Sequence, residues 1–251
     1  GRIRLGVVVV GEDPAVRQFI GIKKKKAESL GIDVRIYPFE DSITTTTNVL
    51  RDALFEIVHE EHNTGVIVQL PLPLHITEQT ILNAVSPEKD VDVLSARATG
   101  DFVVGRSKIL PPVAGAIKEL FHAYGIDNKK KHTVVVGVGR LVGKPAMLWL
   151  LQEGGTMTVV RKDTENPKEL LRQADIIISG VGKPRMITGD DVKEGVVVID
   201  AGASEQNGEI VGDIDFDSVA PKASYITPVP GGIGPLTVAM LLKNLVTLAK
   251  N

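Results

Sequence analysis

The sequence predicts an α/β protein of two lobes, each built on parallel sheet, and two of its features carry that expectation. Six continuous apolar runs rich in Val and Ile (Leu5 to Val10, Gly65 to Gln69, Thr133 to Val136, Met157 to Val160, Ile176 to Ser179 and Val196 to Asp200) have the composition of strands covered on both faces. Helix-length amphipathic segments separate most of them, and strands alternating with helices wind a parallel sheet rather than a sandwich.

In chain order, a strand over 5–10 leads to a helix over about 14–30, a strand from Asp33 to Tyr37, a helix over about 46–61 and a strand over 65–69, which makes a βαβαβ lobe. Gly31 stops the first helix, the Thr run 44–47 can cap the second, and Pro71 and Pro73 break the chain after the third strand. Beyond Pro111-Pro112, a helix over about 114–124 and the charged turn Asp127 to His132 lead into a second series of strands that starts at Thr133. The first lobe is therefore expected over 1–113 and the second over 114–235. The last segment, Leu236 to Lys250, has apolar residues spaced for a helix with a broad buried face, and 236–251 is expected to return to the first lobe. Gly1 to Arg4 runs straight into a strand without an introductory helix, so an upstream segment is expected.

With 29 Lys and Arg against 31 Asp and Glu, the net charge is -2. No global field gathers nucleic acid, and any anion site must be local. The absence of Cys excludes disulfides, thiolate catalysis and thiolate-bound zinc; no metal site is expected, and a reducing, cytoplasmic setting suits the composition. No run approaches the roughly 20 apolar residues that span a bilayer, and no charged-then-apolar leader precedes the first strand, so no membrane association is expected.

Thr133 to Pro145 reads as a strand, a turn carrying Gly137, Gly139, Arg140 and Gly143, and a helix whose first turn tolerates Pro145. Such a turn presents backbone N–H groups to an anion. Its spacing is one residue longer than the usual dinucleotide fingerprint, so alone it suits a simple tight turn as well. The strand before it, the helix after it and a second strand ending at Val160 make it the opening of a Rossmann-like, NAD(P)-binding lobe. NAD sites commonly place an acid at the end of that second strand, whereas here Arg161-Lys162 stands there. Two cations suit a 2′-phosphate and favour NADP, with NAD as the alternative and a solvated pair as the bland reading.

In the first lobe, Gly11-Glu12-Asp13-Pro14 turns the chain into a helix with Phe19 and Lys23 at i and i+4, on one face. An exposed charged face accounts for most of Lys23 to Lys26, leaving one or two to face a cleft. A Lys beside a ring and away from water can shuttle protons. Gln69 stands at the carboxyl edge of its strand, where open α/β sheets put their ligands, although a Gln facing water explains that turn equally well. Asp90 and Asp92 follow Pro87, and an Asp there can accept from the amino and ring N–H groups of a heterocycle.

Taken together, Phe19 to Lys23, Gln69 to Pro73, Lys89 to Val93, Gly137 to Pro145 and Pro228 to Thr237 resemble segments of the methylenetetrahydrofolate dehydrogenase/cyclohydrolase family. The family pattern, in the same order, is a Tyr-x-x-x-Lys helix, a Gln-Leu-Pro-Leu-Pro turn, a Lys-Asp-Val-Asp-Gly loop, a Gly-Arg-Ser-x-x-Val-Gly-x-Pro loop and a Pro-Val-Pro-Gly-Gly-Val-Gly-Pro-Met-Thr segment. Ala174 to Ile178, Val198 to Gly202 and Gly212 to Phe216 are further matches, so the resemblance spans nearly the whole chain. It implies oxidation of 5,10-methylenetetrahydrofolate to 5,10-methenyltetrahydrofolate with NADP, then hydrolysis to 10-formyltetrahydrofolate. It implies that Lys23 assists proton transfer in the hydrolysis, that Gln69 orients or tunes Lys23, and that Asp92 holds the pterin. Phe19, Leu70, Pro71, Pro230, Gly231 and Gly232 are the implied substrate contacts, while Gly137, Gly139, Arg140, Gly143, Arg161 and Lys162 are the implied cofactor contacts. A homodimer acting on tetrahydrofolate one-carbon derivatives is also implied.

The departures are as specific as the matches. Phe19 replaces the family Tyr and lacks its hydroxyl, Val16 replaces a Ser, Val93 replaces a Gly, Val138-Gly139 replaces Arg-Ser, and Arg161-Lys162 replaces His-Ser. Leu110 to Ala114 lacks the family's Pro-Cys-Thr-Pro pattern. The cyclohydrolase is the more exposed activity, because it depends on a polar network around Lys23. A dehydrogenase without cyclohydrolase activity and a catalytically reduced binding homologue are the alternatives; retention of Lys23, Gln69 and Asp92 argues against the latter.

Overall fold

The computed structural model describes residues 3–42, 44–206 and 208–250. Gly1 and Arg2, at the start of the first lobe as read from the sequence, and Asn251, at its end, lie outside the described residues. The chain divides into two compact units, one formed by 1–112 with 238–251 and the other by 113–237.

The first unit holds β1 (Arg4–Val10), α1 (Pro14–Ser29), β2 (Asp33–Phe39), α2 (Thr47–His59), β3 (Gly65–Val68), α3 (Glu78–Leu82) and α4 (Ala96–Val103). Its sheet is parallel throughout, in the order β2-β1-β3. The continuous apolar composition of β1 has a direct cause: it feeds two cores. Val8 and Val10 pack with Leu50, Leu54, Ile57 and Val58 of α2, while Leu5, Val7 and Val9 pack on the opposite face with Ile20 and Ala27 of α1. Each such buried Leu or Ile stabilises the fold by about 1.5–3 kcal/mol relative to exposure. The Thr46 hydroxyl accepts from Val49 N and caps α2, and Gly31 ends the turn after α1 with φ 73°.

Several boundaries differ from the sequence expectation, most by one residue. β2 runs on through Pro38 to Phe39, because it is an edge strand, where a missing N–H costs no ladder bond. β3 closes at Val68, although Gln69 N still donates to Val8 O at 2.8 Å. The last helix, α9 (Ile233–Leu248), begins three residues before Leu236, since Pro235 is acceptable in a first turn. From Val238 onward it belongs to the first unit, where Leu241, Leu242 and Leu245 join the α1-side core. Asn244, fully buried, donates from Nδ2 to Val91 O at 2.9 Å and Leu110 O at 2.8 Å.

The second unit contains α5 (Pro112–Ala123), β4 (His132–Val136), α6 (Gly143–Gln152), β5 (Thr156–Val160), α7 (Pro167–Gln173), β6 (Ile176–Ser179) and β7 (Val197–Asp200). The hairpin β8 (Ser204–Gln206) and β9 (Glu209–Val211), the short α8 (Phe216–Val219) and β10 (Tyr225–Ile226) follow. The main sheet is parallel, in the order β10-β7-β6-β4-β5. The chain leaves β4 for β5 on one side and then builds β6, β7 and β10 on the other, so the order reverses between β4 and β6. Ligands of open α/β sheets bind outside the carboxyl ends of strands at such a reversal. Short elements such as α3, the β8–β9 hairpin and β10 carry no periodicity long enough to announce them in the sequence.

Candidate active site and dinucleotide cradle

In the first unit, α1 carries Lys23 and the carboxyl end of β3 carries Gln69. Lys23 Nζ donates to Gln69 Oε1 at 2.9 Å, and Gln69 Nε2 donates to Leu70 O at 2.9 Å. The second bond fixes which way the amide faces, so its oxygen is the atom offered to the amine. Lys23 is half-buried, whereas Lys25 and Lys26 in the same run are exposed. Phe19, one turn earlier, is 43% exposed, and its ring is open to contact.

The structure separates the two acids that the sequence left equivalent. Asp90 is buried, and its carboxylate accepts from Leu94 N at 3.0 Å and Ser95 N at 2.7 Å, which ties the loop to the start of α4. Lys89 extends the other way, donating from Nζ to Val58 O and Glu60 O at the end of α2. Between these anchors stands Asp92, half-buried. Its carboxyl is pushed up to about 6, chiefly by burial and also by the Asp90 charge, against the pull of the Lys23 ammonium. Val93 follows in the left-handed region, with φ 58°, where the family pattern has a Gly. It is 3% exposed, and tight surroundings hold a β-branched residue in a conformation it rarely adopts.

In the second unit, the Gly-rich turn leaves β4 at the reversal of strand order. Gly137 has φ 86°, and a Cβ on Gly143 would collide with the Gly137 carbonyl, so the turn closes tightly enough to start α6 only with glycine there. Beside it lies a cavity of about 360 Å³. Val136, Val160, Leu171, Val181 and Ile187 supply apolar walls, and Arg161, Lys162, Lys168 and Lys183 stand around it. The turn after β5 is shaped by Arg161 N, which donates to Thr164 Oγ1 at 2.8 Å. An apolar slot beside a glycine turn, bordered by four cations, fits an adenosine that carries phosphate.

Of the residues singled out from the sequence, Lys23, Gln69 and Asp92 therefore come together in the first unit, with Leu70 and Pro71 immediately after Gln69. Gly137, Arg161 and Lys162 line the 360 Å³ cavity, while Gly139 and Arg140 lie in the turn before α6 and Gly143 is the first residue of that helix. Gly231 and Gly232 line a separate, apolar cavity of about 610 Å³ in the second unit, flanked by Pro228 and Pro235; Pro230 lies in the same segment and is exposed. Sequence reasoning missed Lys168 and Lys183. Neither belongs to a motif, and only folding brings them to Arg161. Lys168 also pairs with the buried Asp191 at 3.0 Å.

A parallel sheet with a glycine turn at its point of reversal, a cation-bordered slot beside it, and a separate polar Lys-Gln-Asp cluster define the class: a dinucleotide-dependent α/β enzyme. Residues 1–92 match the family model described as the tetrahydrofolate dehydrogenase/cyclohydrolase catalytic domain, and residues 111–251 match the NAD(P)-binding domain of the same family. The bifunctional protein FolD of Acetivibrio thermocellus is 41% identical over 98% of this chain and 86% of its own length. The crystal structure of the bifunctional FolD methylenetetrahydrofolate dehydrogenase/cyclohydrolase of Campylobacter jejuni superposes with a TM-score of 0.94 at 40% identity, covering 99% of this chain and 88% of that one. The Trypanosoma brucei dehydrogenase-cyclohydrolase, solved with NADP and an inhibitor, gives 0.93 at 33% identity, covering 99% and 87%. The chain belongs to the tetrahydrofolate dehydrogenase/cyclohydrolase family.

Proposed function

We propose that this protein oxidises 5,10-methylenetetrahydrofolate to 5,10-methenyltetrahydrofolate with NADP and hydrolyses the product to 10-formyltetrahydrofolate. The observation that carries the reading is the 2.9 Å bond from Lys23 to Gln69 beside a half-buried Asp92, in a chain that matches both family domains. Asp92 accepts from the pterin's N–H groups, and its carboxylate is the form that does so. Lys23 moves the proton at the attacking water during hydrolysis, and Gln69 holds the amine in place through a neutral acceptor that leaves its proton transferable. Phe19 offers its face to the pterin ring, and Leu70 and Pro71 supply rigid surface next to Gln69. Pro230, Gly231 and Gly232 let backbone approach the ligands without side chains in the way.

The chemistry the dinucleotide supplies is hydride acceptance at its nicotinamide. This chain's part is to hold it: the Gly137 to Gly143 turn receives the phosphates, and Arg161 and Lys162 select a 2′-phosphate. In this reading the enzyme works in the cytoplasm as a homodimer. The exposed Tyr124 and Tyr225 rings, 5.3 Å apart, with Tyr225 on edge strand β10, offer an apolar surface for a second copy. No helix among the described residues is long and apolar enough to cross a membrane.

The test is a spectrophotometric assay of purified protein with 5,10-methylenetetrahydrofolate and either NADP or NAD, followed by decay of added methenyl substrate. Reduction with NADP and accelerated methenyl decay support the proposal. Reduction alone reduces it to a dehydrogenase, and silence in both assays sinks it.

A further inference from the structure

Two of the further matching motifs, Val198 to Gly202 and Gly212 to Phe216, each contribute one fully buried carboxylate, Asp200 and Asp213. Asp213 accepts from Ser179 Oγ and Val181 N with Oδ2, both at 2.7 Å, and from Lys183 N with Oδ1 at 2.8 Å. Asp200 in turn accepts from Asp213 N at 3.1 Å and Ile214 N at 3.0 Å, and from Gly202 N at 3.0 Å. Asp213 is thus satisfied by one O–H and two N–H donors and Asp200 by N–H donors, and among the described residues neither pairs with a cation. The glycines of the two motifs are required by this arrangement, since a Cβ on Gly202 would strike the Asp213 carboxylate and one on Gly212 the Asp200 carboxylate.

What the pair holds is one wall of the 360 Å³ cavity. Val181, Lys183, Met186 and Ile187 all line it. The same segment is bound to the second motif through backbone as well, by Arg185 N to Gly212 O and Ile187 N to Asp213 O, each at 3.0 Å. We propose that Asp213, held in place by Asp200, is a positioning residue for the dinucleotide: it sets the 180–187 segment against the Gly137 turn so that the slot has the width of the ligand. The inference rests on reading that cavity as the NADP site.

The experiment is titration of NADP into wild-type protein and an Asp213→Asn variant, with the thermal midpoint and methenyl hydrolysis of each measured alongside. An amide nitrogen in place of one carboxylate oxygen cannot accept from the backbone, so NADP binding is expected to weaken about tenfold, the loss of one hydrogen bond to a charged acceptor. Hydrolysis, which belongs to the first unit, is expected to persist. A lowered midpoint with an unchanged NADP Kd overturns the inference, because a merely structural role predicts that result. Ser179→Ala provides the second variant should the first fail to fold. It withdraws one donor and leaves the carboxylate in place, and it is expected to raise the Kd about threefold and to speed amide exchange at Val181 and Lys183. Unchanged Kd and exchange there also overturn the inference. Failure of wild-type protein to bind NADP instead removes the cofactor reading and the inference together.

Discussion

Lys23 and Gln69 meet at 2.9 Å through an amine and an amide oxygen, and the acceptor is neutral. A carboxylate in the same place would hold the ammonium proton far more firmly. Gln69→Glu, nearly the same in size, is therefore expected to slow methenyl hydrolysis about 10²-fold while NADP reduction is less affected. Equal loss of both activities would show that the residue serves folate binding rather than the amine.

Burial pushes the Asp92 carboxyl up from its ordinary 3.8 to about 6, so below pH 6 the group we assign to the pterin is neutral. The KM for 5,10-methylenetetrahydrofolate is expected to rise as pH falls through this value, and an Asp92→Asn variant is expected to lose the inflection. The sign for stability is opposite to that of a salt-bridged acid. The folded state binds the proton more tightly than the unfolded chain, so stability falls as pH rises from 3.8 to about 6. Denaturant melts across that window are expected to favour the Asn variant increasingly toward neutral pH.

Arg161 and Lys162 are exposed cations at the end of β5 on the border of the dinucleotide slot. Replacing both with Ser is expected to weaken NADP binding about 10–100-fold and to leave NAD binding nearly unchanged. Titration with each cofactor checks this, and parallel losses for the two would place the cations away from the 2′-phosphate.

Asn244 satisfies the carbonyls of Val91 and Leu110 from the middle of α9, directly behind the Asp92 loop. Asn244→Leu strands both acceptors and is expected to cost about 1–3 kcal/mol of stability. Thermal melts read this directly; a variant as stable as wild type would mean that the two carbonyls find other donors.

The legible parts of the fold were those where one physical cause acts alone. β1, β4 and β6 are buried on both faces, and an unbroken Val-Ile run is the composition that such burial selects. Pro38 masked the end of β2, because edge position, which makes it harmless, is a property of the sheet and not of the segment. At the site, Gln69 could be placed at a strand's carboxyl end from local pattern, but singling out Lys23 within four lysines took the family resemblance, and its burial shows only in three dimensions. Asp90 and Asp92 look alike until Leu94 and Ser95 claim the first. Lys168 lies past the loop that follows β5 and Lys183 past β6, so no strand or helix period links either to Arg161. Asp200 and Asp213 stood out only as parts of matching motifs, and their roles emerge from the bonds of Ser179, Val181 and Lys183.

The most direct test of the bifunctional assignment is a Lys23→Met variant assayed for both steps. Methenyl hydrolysis is expected to fall about 10²–10⁴-fold, with NADP-dependent oxidation of 5,10-methylenetetrahydrofolate retained. Hydrolysis at the wild-type rate in the variant would contradict the assignment, since the proton at the attacking water is given to this amine alone.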